Sequence, residues 1–272
     1  MVRSFKLMGV LLAAILFAMS ATVDAATDWS TQKIQVIGMG VAPPNARTPA
    51  HAAMLARRAA LADGYRQLAE AVNGVQVDSE TTVEQMMISS DIIRTKISAT
   101  IKGAQIVDEG ELSGGGYSVT MELALFGAGN SIAETVLERP AYVEPFPQPA
   151  PDYRPPAPTP QASRGYTGLV IDCRGVGTIN FVMSPVIKDA NGQKIYGHRN
   201  LDYDRIIIEG MASYAQDLNQ VSRAGANPLV VKAIRLDDLN ANPVVSKTDA
   251  DLILYQNTQS HFLDNIAVVF LY

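Results

Sequence analysis

The sequence predicts an α+β protein in two parts. An N-terminal domain packs a long Ala-rich helix on an antiparallel sheet, a proline-rich linker follows, and a C-terminal α/β domain carries a mixed sheet. Three observations carry this expectation. Residues 48–73 are rich in alanine and hold apolar residues at helical spacing. Residues 117–125 alternate apolar and polar without a break, as a half-buried strand does. Nine of the 15 prolines fall between Pro140 and Pro160, where neither a helix nor a sheet ladder can continue.

Composition narrows the function classes. Of 272 residues, 22 are basic and 27 acidic, a net charge of -5 with no basic block. That balance excludes nucleic acid as a partner, since phosphate neutralisation needs clustered Lys and Arg. One cysteine, Cys173, excludes an intramolecular disulfide and a cysteine-based zinc site. The three histidines, His51, His198 and His261, lie far apart in the chain.

The chain opens with an address. Arg3 and Lys6 precede an apolar run over 7–19 and a small-residue stretch ending at Ala25 and Ala26. This is the pattern of a secretory signal peptide over residues 1–25, cleaved after Ala25. The run is shorter than the about 20 residues a membrane span needs. Cleavage removes Arg3, Lys6 and Asp24, leaving 20 basic and 26 acidic residues and a charge of -6. No transmembrane segment is expected after cleavage. The mature chain is expected to be periplasmic or secreted, with outer-membrane association left open.

The first domain is expected over 31–139. Residues 33–40 read as a strand. Thr48 and Pro49 read as N-cap and first helical residue. The helix would bury a stripe of Met54, Leu61, Tyr65, Leu68 and Val72, and stop in a left-handed turn at Asn73 and Gly74. Residues 83–93 fit helix or strand equally. Gly114, Gly115 and Gly116 mark a turn before the strand from Tyr117 to Leu125.

Residues 140–164 are read as an extended linker, a spacer rather than a PxxP ligand for a partner domain. The tract offers no apolar face, so the two halves are expected to fold independently. In the C-terminal domain, 165–272, residues 166–172 read as a strand. Residues 185–188 and 194–196 pair across Asn191 and Gly192 in a type I′ hairpin. Ile207, Met211, Tyr214, Leu218 and Val221 then space as a helix ending at Gly225. Residues 229–234 form a strand, 248–262 a helix and 266–272 a buried central strand. The last two strands flank a helix, which predicts a right-handed parallel βαβ unit.

No cluster with catalytic spacing emerges. Gly175 and Gly177 begin like a dinucleotide fingerprint, but Asn180 stands where a third glycine belongs and no helix follows, so a structural turn is expected. Asp202 and Asp204 fit either a cation site or a helix cap, with the cap at Asp204. Asp249 and Asp251 read as first-turn acids complementing a helix dipole. Asp237, Asp238, Asp108, Glu109 and Glu111 read as solvated loop charges, and Arg57 and Arg58 as a surface pair. The histidines read as surface or packing residues and Cys173 as a buried strand residue. The expectation is a protein with no catalytic, cofactor-binding or metal residues, hence not an enzyme.

Resemblance adds to this reading. The run Val36 to Pro44, the Ala-rich stretch Ala56 to Asp63, and Val72 to Asp78 together resemble the Lpp-twenty outer-membrane lipoprotein family. Lys102 to Val107 and Gly116 to Met121 look like that family's following strands. The same domain is similar to the N-terminal domain of the flagellar assembly protein T family, a periplasmic basal-body component. The likeness spans about residues 33–126. The second half, with Tyr166 to Gly175 and Met183 to Asp189, resembles a companion α/β domain of exported members. The chain differs from the lipoprotein family in having no lipobox cysteine. The resemblance implies a non-enzymatic exported cell-envelope protein, a scaffold or assembly factor for an outer-membrane or flagellar basal-body structure. Its partners would be envelope or flagellar proteins, with a homo-oligomer open. The alternative is a periplasmic ligand- or envelope-polymer-binding module, with its site in the cleft between domains.

Overall fold

The computed structural model describes residues 26–155 and 165–272. The expected signal peptide and the end of the linker, 156–164, lie outside the described residues.

The N-terminal domain runs β1 (Ala26–Asp28), β2 (Lys33–Val41), α1 (Pro49–Asn73), α2 (Val83–Ser89), α3 (Asp91–Lys102), β3 (Gln105–Leu112), β4 (Gly116–Ala124) and α4 (Ile132–Val136). Its sheet is antiparallel in the order β1-β2-β4-β3. The buried face carries Ile34, Val36, Val119, Met121 and Leu123. Thr48 caps α1, its side chain accepting from the His51 amide, with Pro49 in the first turn as expected. The ambiguous 83–93 stretch is helical in two pieces, because Thr82 and Gln85 form a reciprocal capping box and Ser90 caps the next helix.

The stripe that α1 buries differs from the expected one. Ala56, Ala60, Gly64, Leu68 and Val72 are buried, whereas Met54 is 67% exposed and Leu61 and Tyr65 are half-buried at the flank. The reason lies in the sheet. A Cβ on Gly38 would stand 2.2 Å from the Ala60 carbonyl oxygen, and one on Gly40 would stand 2.3 Å from that of Ala56. The helix backbone lies directly on these glycines, so only its smallest residues fit inward. Nor does α1 end left-handed: Gly74 has φ -77° and ψ -8°. Polar groups of α1 also close the β2 edge beyond the short β1. The Met39 amide donates to Asp63 Oδ2 at 3.0 Å, and Gln67 Nε2 donates to the Ile37 carbonyl at 3.0 Å.

The C-terminal domain runs β5 (Gly168–Asp172), β6 (Ile187–Asp189), β7 (Lys194–Tyr196), α5 (Tyr203–Glu209), β8 (Ser213–Ala215), β9 (Pro228–Lys232), β10 (Arg235–Asp237), β11 (Asn242–Val245), α6 (Lys247–Ser260) and β12 (Val268–Leu271). One sheet, β8-β12-β5-β9, is parallel throughout. The other, β10-β11-β6-β7, is mixed. Strand β12 is buried along its length at the centre of the parallel sheet, as expected.

Three expectations are corrected here. The helix over 207–221 is interrupted: α5 ends at Gly210, whose φ of 72° leaves the helical region, and Arg223 holds the carbonyls of Glu209 and Gly210. Residues 213–215 instead extend and pair with β12, whose apolar surface outweighs the local helical spacing. The β6–β7 turn is not type I′, since Gly192 alone has positive φ and its amide bonds to the Asp189 carbonyl. Finally, β9 and β12 do lie parallel in one sheet with α6 between them in the chain, but β5 stands between them, so the two strands are not adjacent.

The halves do not stand apart. One continuous apolar core runs through both domains. Backbone bonds cross the seam from the Gly127 amide to the Ile207 carbonyl (2.8 Å), and from the Met183 and Ser184 amides to the carbonyls of Gln76 and Val77 (3.0 and 2.8 Å). Trp29 packs edge-on against Phe181 and Tyr214. Arg139 pairs with Asp204 and stacks over the Tyr203 ring at 4.2 Å. The spacer is likewise corrected for its described part. Residues 140–155 lie as a strap on the C-terminal domain. The Glu144 amide donates to the Arg199 carbonyl (2.8 Å), Phe146 stacks on Tyr196, and the Ala150 amide donates to Asp251 Oδ1 (2.9 Å).

Candidate functional site

A cleft of about 570 Å³ opens along this seam. Its N-terminal wall is the loop from Asp78 to Thr81, its rim is the strap at Glu144 to Pro147, and its other wall comes from β6, β7, the turn His198–Asn200 and the β10–β11 turn. A volume of this size suits a small ligand. Asp78 shapes the first wall, its Oδ1 accepting from the amides of Glu80 and Thr81 at 2.9 and 2.8 Å.

The opposite wall is anchored by a shielded ion pair. Lys188, its side chain 15% exposed, lies 2.5 Å from Asp238. Asn242 also donates to Asp238 at 2.6 Å, while its own carbonyl oxygen accepts from the Val186 amide. The bond from Lys188, followed by that from Asn242, holds the Asp238 carboxyl below the usual carboxylate range. Asp238, Leu239 and Asn240 are all left-handed, with φ of 51°, 55° and 64°. Non-glycine residues rarely adopt that conformation, and it is held here by Asn180, which bonds to the carbonyls of Leu239 and Asn240. His198 lines the same wall. Its Nε2 is buried without a hydrogen-bond partner, and burial, reinforced by the Arg199 charge, pushes its pKa below the ordinary histidine value. At neutral pH the imidazole is therefore uncharged.

The structure places the other singled-out residues apart from one another. His51 sits in the first turn of α1, its Nδ1 accepting from the Arg47 amide. His261 ends α6 in the left-handed conformation. Cys173 is buried directly after β5, and burial pushes its thiol up to about 12, which makes it a packing group. Gly175 and Gly177 have positive φ in a turn, as expected. The cap of α5 is Asp202, not Asp204, which instead pairs with Arg139 across the seam. Asp249 lies in the first turn of α6, but Asp251 is buried and holds Lys247 (2.9 Å) and the strap amide of Ala150. Arg57 pairs with Glu109 of β3, joining helix to sheet, and Asp237 pairs with Arg235. Among the described residues no three His, Cys, Asp or Glu side chains converge to hold a metal ion, and no helix is long and apolar enough to cross a membrane.

Sequence reasoning flagged Asp238 as a solvated loop charge and His198 as a surface or packing residue, and passed over Lys188, Lys194, Asp78 and Glu80. These residues come from separate segments with no shared spacing, so only the folded chain brings them to one cleft.

Residues 26–124 match the family described as LPP20 lipoprotein. Residues 168–272 match the second domain of Treponema pallidum Tp0624. The chain thus carries an LPP20-like domain followed by a second domain of that type, the two-domain order its sequence predicts. No curated protein matches it. The LPP20 likeness supports an exported or envelope-associated protein.

Proposed function

We propose that this protein is a non-enzymatic scaffold or assembly factor of the cell envelope, acting on an outer-membrane or flagellar basal-body structure. The observation that carries the reading is the seam. Two domains with one core and direct backbone bonds between them hold a fixed relative geometry, which suits a part that positions envelope or flagellar proteins. The LPP20 likeness supports the location. Deleting the gene and scoring motility and envelope integrity tests it: loss of either is expected, and a mutant that swims normally within an intact envelope overturns it.

A second reading, a periplasmic ligand- or envelope-polymer-binding module, is favoured by one observation. A cleft of about 570 Å³ lies between the domains and includes a backbone turn held in an unfavourable conformation.

A further inference from the structure

The cleft carries charges of both signs, and those outside an ion pair are segregated by wall. On the N-terminal side Asp78 and Glu80 form no ion pair with any described residue, and Asp78 uses only Oδ1 in its turn. On the opposite side, Lys188 is engaged by Asp238 and Arg199 by Glu144, whereas Lys194 forms no direct ion pair among the described residues and feels Asp238 only at longer range. One wall therefore presents unpaired acids and the other an unpaired cation. Between them lie amide, hydroxyl and imidazole side chains. A simple anion would meet the carboxylates, a simple cation would meet the lysines and arginine, and an apolar molecule would leave all of them desolvated.

What answers both walls is a molecule with a positive and a negative end and hydrogen-bonding groups between. We infer that the cleft binds a short peptide with free ends, its carboxylate at Lys194 and its ammonium at Asp78 and Glu80. This rests on the binding-module reading and names its ligand class. Capture of peptide termini by fixed protein charges is a known recognition mode. The shielded Lys188–Asp238 pair and the left-handed turn beside it supply the rigid floor that such a site needs.

The test uses the full chain and trialanine as probe, read from amide shifts at Thr81, Lys194 and Asn200. Saturable shifts are expected at all three. N-acetylated or C-amidated trialanine should bind roughly fivefold more weakly, the factor for losing one partly exposed ion pair. Lys194→Gln should erase the difference between the free and amidated peptides. Glu80→Gln should reduce that between the free and acetylated ones. Both residues are at the surface, so thermal melts should stay unchanged. Equal binding of the three peptides overturns the proposal. N-acetylchitotriose is the control polymer fragment. If it shifts these amides and trialanine does not, the cleft remains a binding site but the peptide assignment fails. If neither does, the binding-module reading fails with it.

Discussion

Gly38→Ala is expected to lift α1 from its sheet. The added Cβ would lie 2.2 Å from the Ala60 carbonyl oxygen and 2.5 Å from the Gly64 nitrogen, both backbone atoms that no rotamer change can move. Ordinary contact begins near 3.4 Å, so helix and strand must separate locally by about 1.2 Å, the difference between those two distances. The glycine is not at positive φ, so the cost is purely steric. Overpacking of this kind typically costs about 1–3 kcal/mol. For a chain of this size each kcal/mol moves the melting temperature by about 2–4 °C, which gives a fall of roughly 2–12 °C. Gly40→Ala should behave likewise, since its Cβ would meet Ala56 and Ala60 backbone at 2.3 Å. Gly110→Ala is the control, because a Cβ there meets nothing within 4 Å. It should stay within about 0.5 kcal/mol of the parent. Urea and thermal melts followed by far-ultraviolet circular dichroism measure all three. If Gly38→Ala and Gly110→Ala melted together, helix and sheet would not be in backbone contact.

Four other outcomes follow from the same geometry. Leu68→Ala should cost about 2–5 kcal/mol in urea melts, whereas Met54→Ala, at a position 67% exposed, should cost under about 0.5 kcal/mol. The folded-state pKa of His198 lies below the unfolded value of about 6.5, so the folded chain binds fewer protons and loses stability as pH falls from there through the folded pKa. His198→Asn should flatten that part of the stability–pH curve; an unchanged curve would show that the imidazole is solvated. The amides of Glu144 and Ala150 should exchange slowly with deuterium, and Asp251→Asn should speed Ala150 selectively, while free exchange across 140–155 in the parent would detach the strap. Cys173, buried with its thiol pushed up to about 12, should resist a thiol reagent at pH 8 until the protein unfolds.

The elements that were legible from sequence were those whose signals are local. Thr48 and Pro49 mark the start of α1 because capping is decided within four residues, and β4 and β12 declare themselves by alternation and by continuous burial. The misreadings share a cause in tertiary context. The spacing of large apolar residues put Met54 and Leu61 inward, but two glycines on β2 bring the helix so close that Ala56 and Ala60 take those places. Helical spacing from Ile207 to Val221 was real, yet Gly210 ends the helix and the β12 edge recruits 213–215. Proline density correctly excluded regular structure from 140–155 but said nothing about docking, which depends on Tyr196, Arg199 and Asp251 far along the chain. The residues that line the cleft were legible least of all. Asp78, Glu144, Lys194 and Asp238 form no motif, and only the closed seam makes them neighbours.

That seam also contains the chain's one tryptophan. Trp29 follows β1 in the N-terminal domain, but its ring contacts are with Phe181 and Tyr214 of the C-terminal domain, at 6.1 and 5.8 Å between centroids. Its emission is therefore an intrinsic optical gauge of domain closure. A red shift that appears while the far-ultraviolet spectrum is intact would record the two halves parting before either melts. Energy transfer from Tyr214 to Trp29 would report the same event with no label added.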